Sequence, residues 1–118
     1  TDDLDEAVAA APVGTGRILE LSRGDLSWAM AVPDSGRLPF EAAMPALIEW
    51  EASSPHPVAL LPDHGLRLSR LDVFHPDCNT LIEAFPALRT LDHVAVQPGP
   101  EKRLIASIST PEGMRVLA

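Results

Sequence analysis

Apolar and polar positions alternate along this chain in short runs, each cut off by proline, glycine or charged residues. Leu4, Val8 and Ala11 recur at i, i+4 and i+7, the spacing of one helix face, and Asp3 with Glu6 has capping-box spacing. Residues 1–11 are therefore predicted to form a short amphipathic helix that Pro12 ends. Three strands follow, over 17–22, 27–32 and 46–51. In the second, Trp28, Met30 and Val32 share one face while Ser27, Ala29 and Ala31 share the other; in the third, Leu47, Glu49 and Glu51 lie opposite Ala46, Ile48 and Trp50. Arg23-Gly24-Asp25 breaks the first pair into a hairpin, and Pro33-Asp34-Ser35-Gly36 is a second turn.

Pro55, Pro57, Pro62 and Gly65 make 52–65 a loop between two similar halves. Beyond it, 66–74 reads as a strand and 77–88 as a helix, with Asp77 as its cap, a buried stripe of Leu81, Ile82, Phe85 and Leu88, and a kink at Pro86. Strands at 93–97, 103–109 and 114–117 complete the chain. The pattern predicts an α+β protein: helix and three strands over 1–51, a linker over 52–65, then strand, helix and three strands over 66–118. Only a first strand ahead of Thr1 separates this order from a duplicated βαβββ unit.

Length and charge narrow the function. A chain of 118 residues has the size of one domain. Its 17 Asp and Glu against 9 Lys and Arg give a formal net charge of −8, which repels polyanions, and no Lys/Arg cluster offers a local exception. Nucleic acid is not an expected partner. Neither is a membrane, because no apolar run approaches the ~20 residues a spanning helix needs. Cys78 is the single cysteine, so no intrachain disulfide can form and a reducing, cytoplasmic setting is expected. Gly14-Thr15-Gly16 lacks the rest of a nucleotide fingerprint and reads as a turn.

Six short stretches then stand in a telling order: Arg23-Gly24-Asp25-Leu26-Ser27-Trp28, Leu38-Pro39-Phe40, Leu47-Ile48-Glu49-Trp50, His56-Pro57, Phe74-His75-Pro76 and Ser109-Thr110-Pro111-Glu112-Gly113. In this order they resemble the glyoxalase-like domain branch of the vicinal oxygen chelate (glyoxalase/bleomycin resistance/dioxygenase) superfamily. The resemblance implies paired βαβββ modules whose mixed sheets curl into a half-open barrel, with helices on the convex face and a ligand cavity on the concave one. It also implies a longer parent protein, of which this chain would be the C-terminal part. A missing first strand would leave an open sheet edge, so a homodimer or a missing N-terminal module is expected to cover it.

The candidate ligand-binding residues are Glu49, Glu51, Trp28, Trp50, His56 and Arg23. Glu49 and Glu51 are two apart on a strand and share a face, where they could hold a cation, bind a metal or act as a base. The indoles suit a flat apolar ligand. His56 sits in a stiff proline-flanked loop, and Arg23 either pairs a carboxylate or holds the hairpin. Metal enzymes of the superfamily place His or Glu in the first and last strands of each module, yet 66–74 and 114–117 contain neither. No cofactor is expected from this chain, a divalent metal being the alternative. The expected function is therefore small-molecule binding in the concave cavity without a complete metal site. The alternatives are a metal-dependent lyase, isomerase or dioxygenase, and a structural half of a longer protein.

Overall fold

The computed structural model describes every residue from Thr1 to Ala118. The chain forms two compact units, Thr1–Pro62 and Asp63–Ala118. The first runs through helix α1 (Leu4–Ala9), strands β1 (Arg17–Arg23) and β2 (Leu26–Val32), a 3-10 turn at Phe40–Ala42, strand β3 (Ile48–Trp50) and a single helical turn, α2 (Pro57–Leu60). The second runs through β4 (Arg67–His75), α3 (Cys78–Ala84), a 3-10 turn at Pro86–Arg89, β5 (Val94–Pro98), β6 (Arg103–Thr110) and β7 (Gly113–Leu117). The architecture is mixed α+β, with seven strands in two open sheets.

In the first unit the strand order is β1-β2-β3, all antiparallel. β1 and β2 pair without interruption from Arg17↔Val32 to Arg23↔Leu26, leaving Gly24 and Asp25 as a two-residue turn. Gly24 has φ 61°, the left-handed conformation such hairpin turns demand. β3 joins β2 through Trp28↔Trp50, Ala29↔Glu49 and Met30↔Ile48. Because side chains alternate, Ala29, Ala31, Leu47 and Glu49 occupy one face, and Trp28, Met30, Ile48 and Trp50 the other. The core lies on the first face, where Leu4, Ala31, Ala43, Met44 and Leu47 are all buried. Thr15 is buried beside it and satisfied, its hydroxyl donating to the Pro12 carbonyl at 2.7 Å.

In the second unit the strand order is β5-β4-β6-β7, with β4 parallel to β5 and the other pairs antiparallel. The parallel pair requires a crossover, which α3 supplies. Leu81 is fully buried beneath it, with Val73, Cys78 and Leu88 around it. The two sheets therefore differ in more than a missing strand. A two-residue turn lets β1 and β2 pair directly, whereas β4 lies between β5 and β6, whose connection contains Gly99 and Pro100.

Several local expectations are corrected. The second helix stops at Ala84 instead of reaching residue 88: Phe85, which precedes Pro86, leaves helical geometry at φ −139°, and Pro86 starts a separate 3-10 turn. Asp77 stands at the N-cap position but makes no side-chain capping bond; its amide instead donates to His75 Nδ1 at 3.0 Å. His75 is the last residue of β4 and buried, not beyond the strand end. Within the expected loop 52–65, residues Pro57–Leu60 form α2, with Pro57 in its first turn.

One segment is strained. Phe40, Glu41 and Ala42 all have positive φ, 53°, 54° and 66°, a short left-handed turn built without glycine. Replacing the exposed Glu41 by Gly removes its Cβ clash, and urea denaturation should show a gain of about 0.5–1 kcal/mol. Gly16→Ala should do the reverse. Gly16 has φ 107° and its missing Cβ would collide with the Val32 backbone, so a loss of about 3 kcal/mol or more is expected in the same assay.

Candidate functional site

Which face of the first sheet is free depends on where α1 sits, and one bond decides that. The Leu4 amide, an N-terminal helical donor without an intrahelical acceptor, donates to Glu49 Oε2 at 2.6 Å. Asp3 caps the same helix, its Oδ1 accepting from the Glu6 amide at 2.8 Å, half of the expected capping box. Two carboxylates thus face the positive end of α1. The bond from β3 to α1 seats the helix over Ala31 and Leu47 and commits Glu49 to the helix-bearing face.

On that face the cross-strand row Glu20, Ala29, Glu49 is followed by Ser22 and Ser27, with Glu51 just beyond β3, its amide donating to the Ser27 carbonyl at 3.1 Å. These residues line a shallow depression of about 460 Å³, together with Leu21 and Trp28. Glu20 was not among the sequence candidates. It becomes legible only once the register places it two strands away from Glu49, across Ala29.

The opposite face is aromatic. Trp28 and Trp50 are directly paired across β2 and β3, with ring centroids 5.4 Å apart at 47°. His56 meets Trp50 edge-on, with centroids 5.5 Å apart at 67°. This places three rings in a row. His56 is held there by its role as N-cap of α2, where Nδ1 accepts from the Val58 amide at 3.3 Å. Ser54 fixes the intervening loop, accepting from the Ser27 amide at 2.9 Å and donating to the Asp25 carbonyl at 3.0 Å. Leu19, Leu21, Met30 and Ile48 flank the row by strand alternation, and all four are half-buried rather than enclosed. Arg23 is exposed at the end of β1, on the same parity as Leu21, and stands at the rim of this face.

The six sequence candidates therefore divide. Trp28, Trp50, His56 and Arg23 belong to the helix-free face; Glu49 and Glu51 belong to the helix-bearing one. No group of three or more His, Cys, Asp or Glu converges closely enough to hold a metal ion. Within neither unit do such residues converge as a metal site would require.

The second unit contributes a polar cluster that sequence reading missed. Asp72, in β4, accepts from Arg70 Nε at 2.8 Å and from Gln97 Nε2 at 2.7 Å, and its side chain is only 16% exposed. The Arg70 guanidinium holds the Asp72 carboxyl below its ordinary range; partial burial opposes this and Gln97 adds to it. The stabilisation this gives is present at neutral pH and is lost as pH falls below the usual carboxylate range. Only the parallel pairing Phe74↔Gln97 brings Gln97 into reach, and no short-range pattern signals it.

A family model described as the glyoxalase-like domain matches residues 1–89. The chain belongs to this family. The family is part of the vicinal oxygen chelate superfamily, and the match takes in the whole first unit and extends through α3. No curated protein and no solved structure matches the chain. Family membership thus accords with the mixed α+β order, and no relative supplies a substrate.

The anchor is directly testable. Glu49→Ala deprives the Leu4 amide of its acceptor and should cost about 1–2 kcal/mol in urea denaturation. Glu51→Ala, at an exposed position, should change stability by less than about 0.5 kcal/mol. Equal losses at both positions would contradict the assignment of Glu49 to the helix.

Proposed function

We propose that this glyoxalase-like domain binds a flat, largely apolar small molecule on the helix-free face of its first sheet, without metal and without turning it over. The observation that carries the reading is the row Trp28–Trp50–His56, three rings in contact and half-buried or exposed on a sheet face flanked by apolar side chains. The apolar residues of this face are half-buried, neither enclosed in the core nor fully exposed, so part of each ring remains accessible. Indole faces stack well against planar ligands, and Met30 beside them is an adaptable contact.

The ligand chemistry follows from what surrounds the row. Arg23 offers a positive charge at one end of the face and Arg17, of the same parity and 3.6 Å from Asp34, another at the far end, while the carboxylates of Glu49 and Glu51 lie on the other side of the sheet. The residues of this face include no general base other than His56, whose Nδ1 is engaged with the Val58 amide. Binding is therefore favoured over proton abstraction. A cytoplasmic setting accords with the free Cys78.

Both of the chain's tryptophans belong to this row, and Trp28 also borders the acidic depression, so indole fluorescence reports binding at this sheet and the substitutions assign the face. Titration with the neutral planar probe N-phenyl-1-naphthylamine should quench that fluorescence and saturate. Trp50→Leu retains an apolar side chain but removes the ring, and should weaken binding by about tenfold, as loss of an aromatic anchor does. Glu51→Gln should leave it within about twofold. Weakening by Glu51→Gln with Trp50→Leu unaffected would move the site to the acidic depression and refute the proposal.

A further inference from the structure

The register of the second sheet sorts its charged groups into those the protein uses itself and those it leaves over. Alternation sends Val73 and His75 of β4 to the side of α3, where both are buried, and Arg70, Asp72 and Phe74 to the opposite face. Pairing sets Gln97 of β5 and Arg103 of β6 on either side of Phe74, and Ala95 and Ile105 on either side of Asp72. Two rows therefore cross this face, Gln97–Phe74–Arg103 and Ala95–Asp72–Ile105, spaced about 7 Å apart along the strands.

Asp72 is fully committed. Arg70 reaches along its own strand to meet it, with Nε 2.8 and 2.9 Å from the two carboxylate oxygens and Nη2 2.8 Å from Oδ1. Gln97 Nε2 donates to Oδ1 from the neighbouring strand at 2.7 Å. The aspartate thus holds the Arg70 guanidinium in one orientation and leaves its Nη1 edge without a protein partner. Arg103 is exposed and takes no part in the ion pairs of the chain, which join Arg17 to Asp34, Arg67 to Asp63, Arg70 to Asp72 and Arg115 to Glu112. Around Asp72 there are two guanidinium groups for one carboxylate, a local excess of positive charge on a chain of formal net charge −8. Phe74 between them is half-buried and fixed from one side. Gly99 comes so close that a Cβ there would lie 2.9 Å from Phe74 Cβ, and since Gly99 has no positive φ to satisfy, this approach is what its missing side chain serves.

We infer that this face of the second unit binds a small aryl carboxylate, its carboxylate taken by Arg103 and the free edge of Arg70 and its ring laid against Phe74. Guanidinium forks match a carboxylate in geometry and charge, and a fork already held by Asp72 loses little freedom on binding. A cationic ligand is disfavoured, because both oxygens of the single carboxylate here are engaged. The site stands apart from the aromatic face of the first sheet and does not rest on it: both tryptophans belong to the first unit.

Benzoate titrated into the 118-residue chain to about 50 mM should saturably shift the Nε–H signals of Arg70 and Arg103 and the Gln97 side-chain amide in nuclear magnetic resonance spectra, with a millimolar dissociation constant. Acetate, which lacks the ring, should bind about fivefold more weakly. Arg103→Gln should weaken benzoate at least about fivefold with an unchanged far-UV circular dichroism spectrum, and Arg70→Lys, which keeps the charge but loses the fork, should weaken it as well. Arg115 lies on the other side of the sheet, one position from Val116, which pairs with Ser107. Arg115→Gln therefore removes the same charge away from the site and should leave the affinity within about twofold. Arginine signals that do not shift overturn the inference. So does benzoate binding that Arg103→Gln leaves unchanged, that Arg115→Gln weakens equally, or that moves the indole signals of Trp28 and Trp50 instead.

Discussion

The bond from the Leu4 amide to Glu49 is where the first unit takes its orientation. A three-stranded antiparallel sheet has two faces, and nothing in the alternation of β2 alone says which one a helix will cover. Ala29 and Ala31 make one face flat enough for close approach, Leu47 supplies it with apolar surface, and Glu49 offers an acceptor where a helix start has donors to satisfy. Once α1 is seated there, Leu4, Ala31, Met44 and Leu47 close into a core. The bulky side chains of Trp28, Met30, Ile48 and Trp50 are then left on the opposite side, half-buried. The same carboxylate that looks catalytic beside Glu51 in the sequence is the one that turns the aromatic face outward.

The chemistry available to the two faces is accordingly different. The helix-bearing side holds carboxylates and serines around a shallow depression, while the opposite side holds rings and aliphatic groups with Arg17 and Arg23 at its two ends. Metal chemistry needs ligands converging on a point, and here the acidic residues lie in a row across strands, with Glu49 already engaged. Stacking needs only flat surfaces held in place. Direct pairing of Trp28 with Trp50, the Ser54 clamp and the His56 cap hold three such surfaces.

Much of the fold was legible in the chain, because the signals involved are local. The Trp28, Met30, Val32 alternation, the Gly24 turn and the Asp3/Glu6 spacing each act within a few residues, and strand positions followed from them to within a residue or two. The helix at 77–88 was read too long because the apolar stripe continues through Leu88 while Pro86 ends the helix before it. What escaped sequence reading depends on pairing. Glu20 joins Glu49 only through a three-strand register, Gln97 reaches Asp72 only through a parallel crossover, and β4 enters between β5 and β6, which follow each other in sequence. The left-handed turn at Phe40–Ala42 also left no mark, since none of its residues is a glycine. For the site, residue types were legible but their sides were not: Glu49, Trp50 and Glu51 are consecutive in sequence, yet the glutamates and the tryptophan stand on opposite faces of one sheet.

The proposed recognition surface is the aromatic face of this sheet and not the acidic one. Nuclear magnetic resonance locates a bound molecule without altering the protein. On addition of N-phenyl-1-naphthylamine, the account predicts shifts confined to the indole Nε1–H signals of Trp28 and Trp50, the His56 ring and the Met30 methyl group, with the Ala29 methyl and the side chains of Glu20 and Glu51 unmoved. Shifts centred on Ala29, Glu20 and Glu51, with both indole signals unchanged, would contradict it.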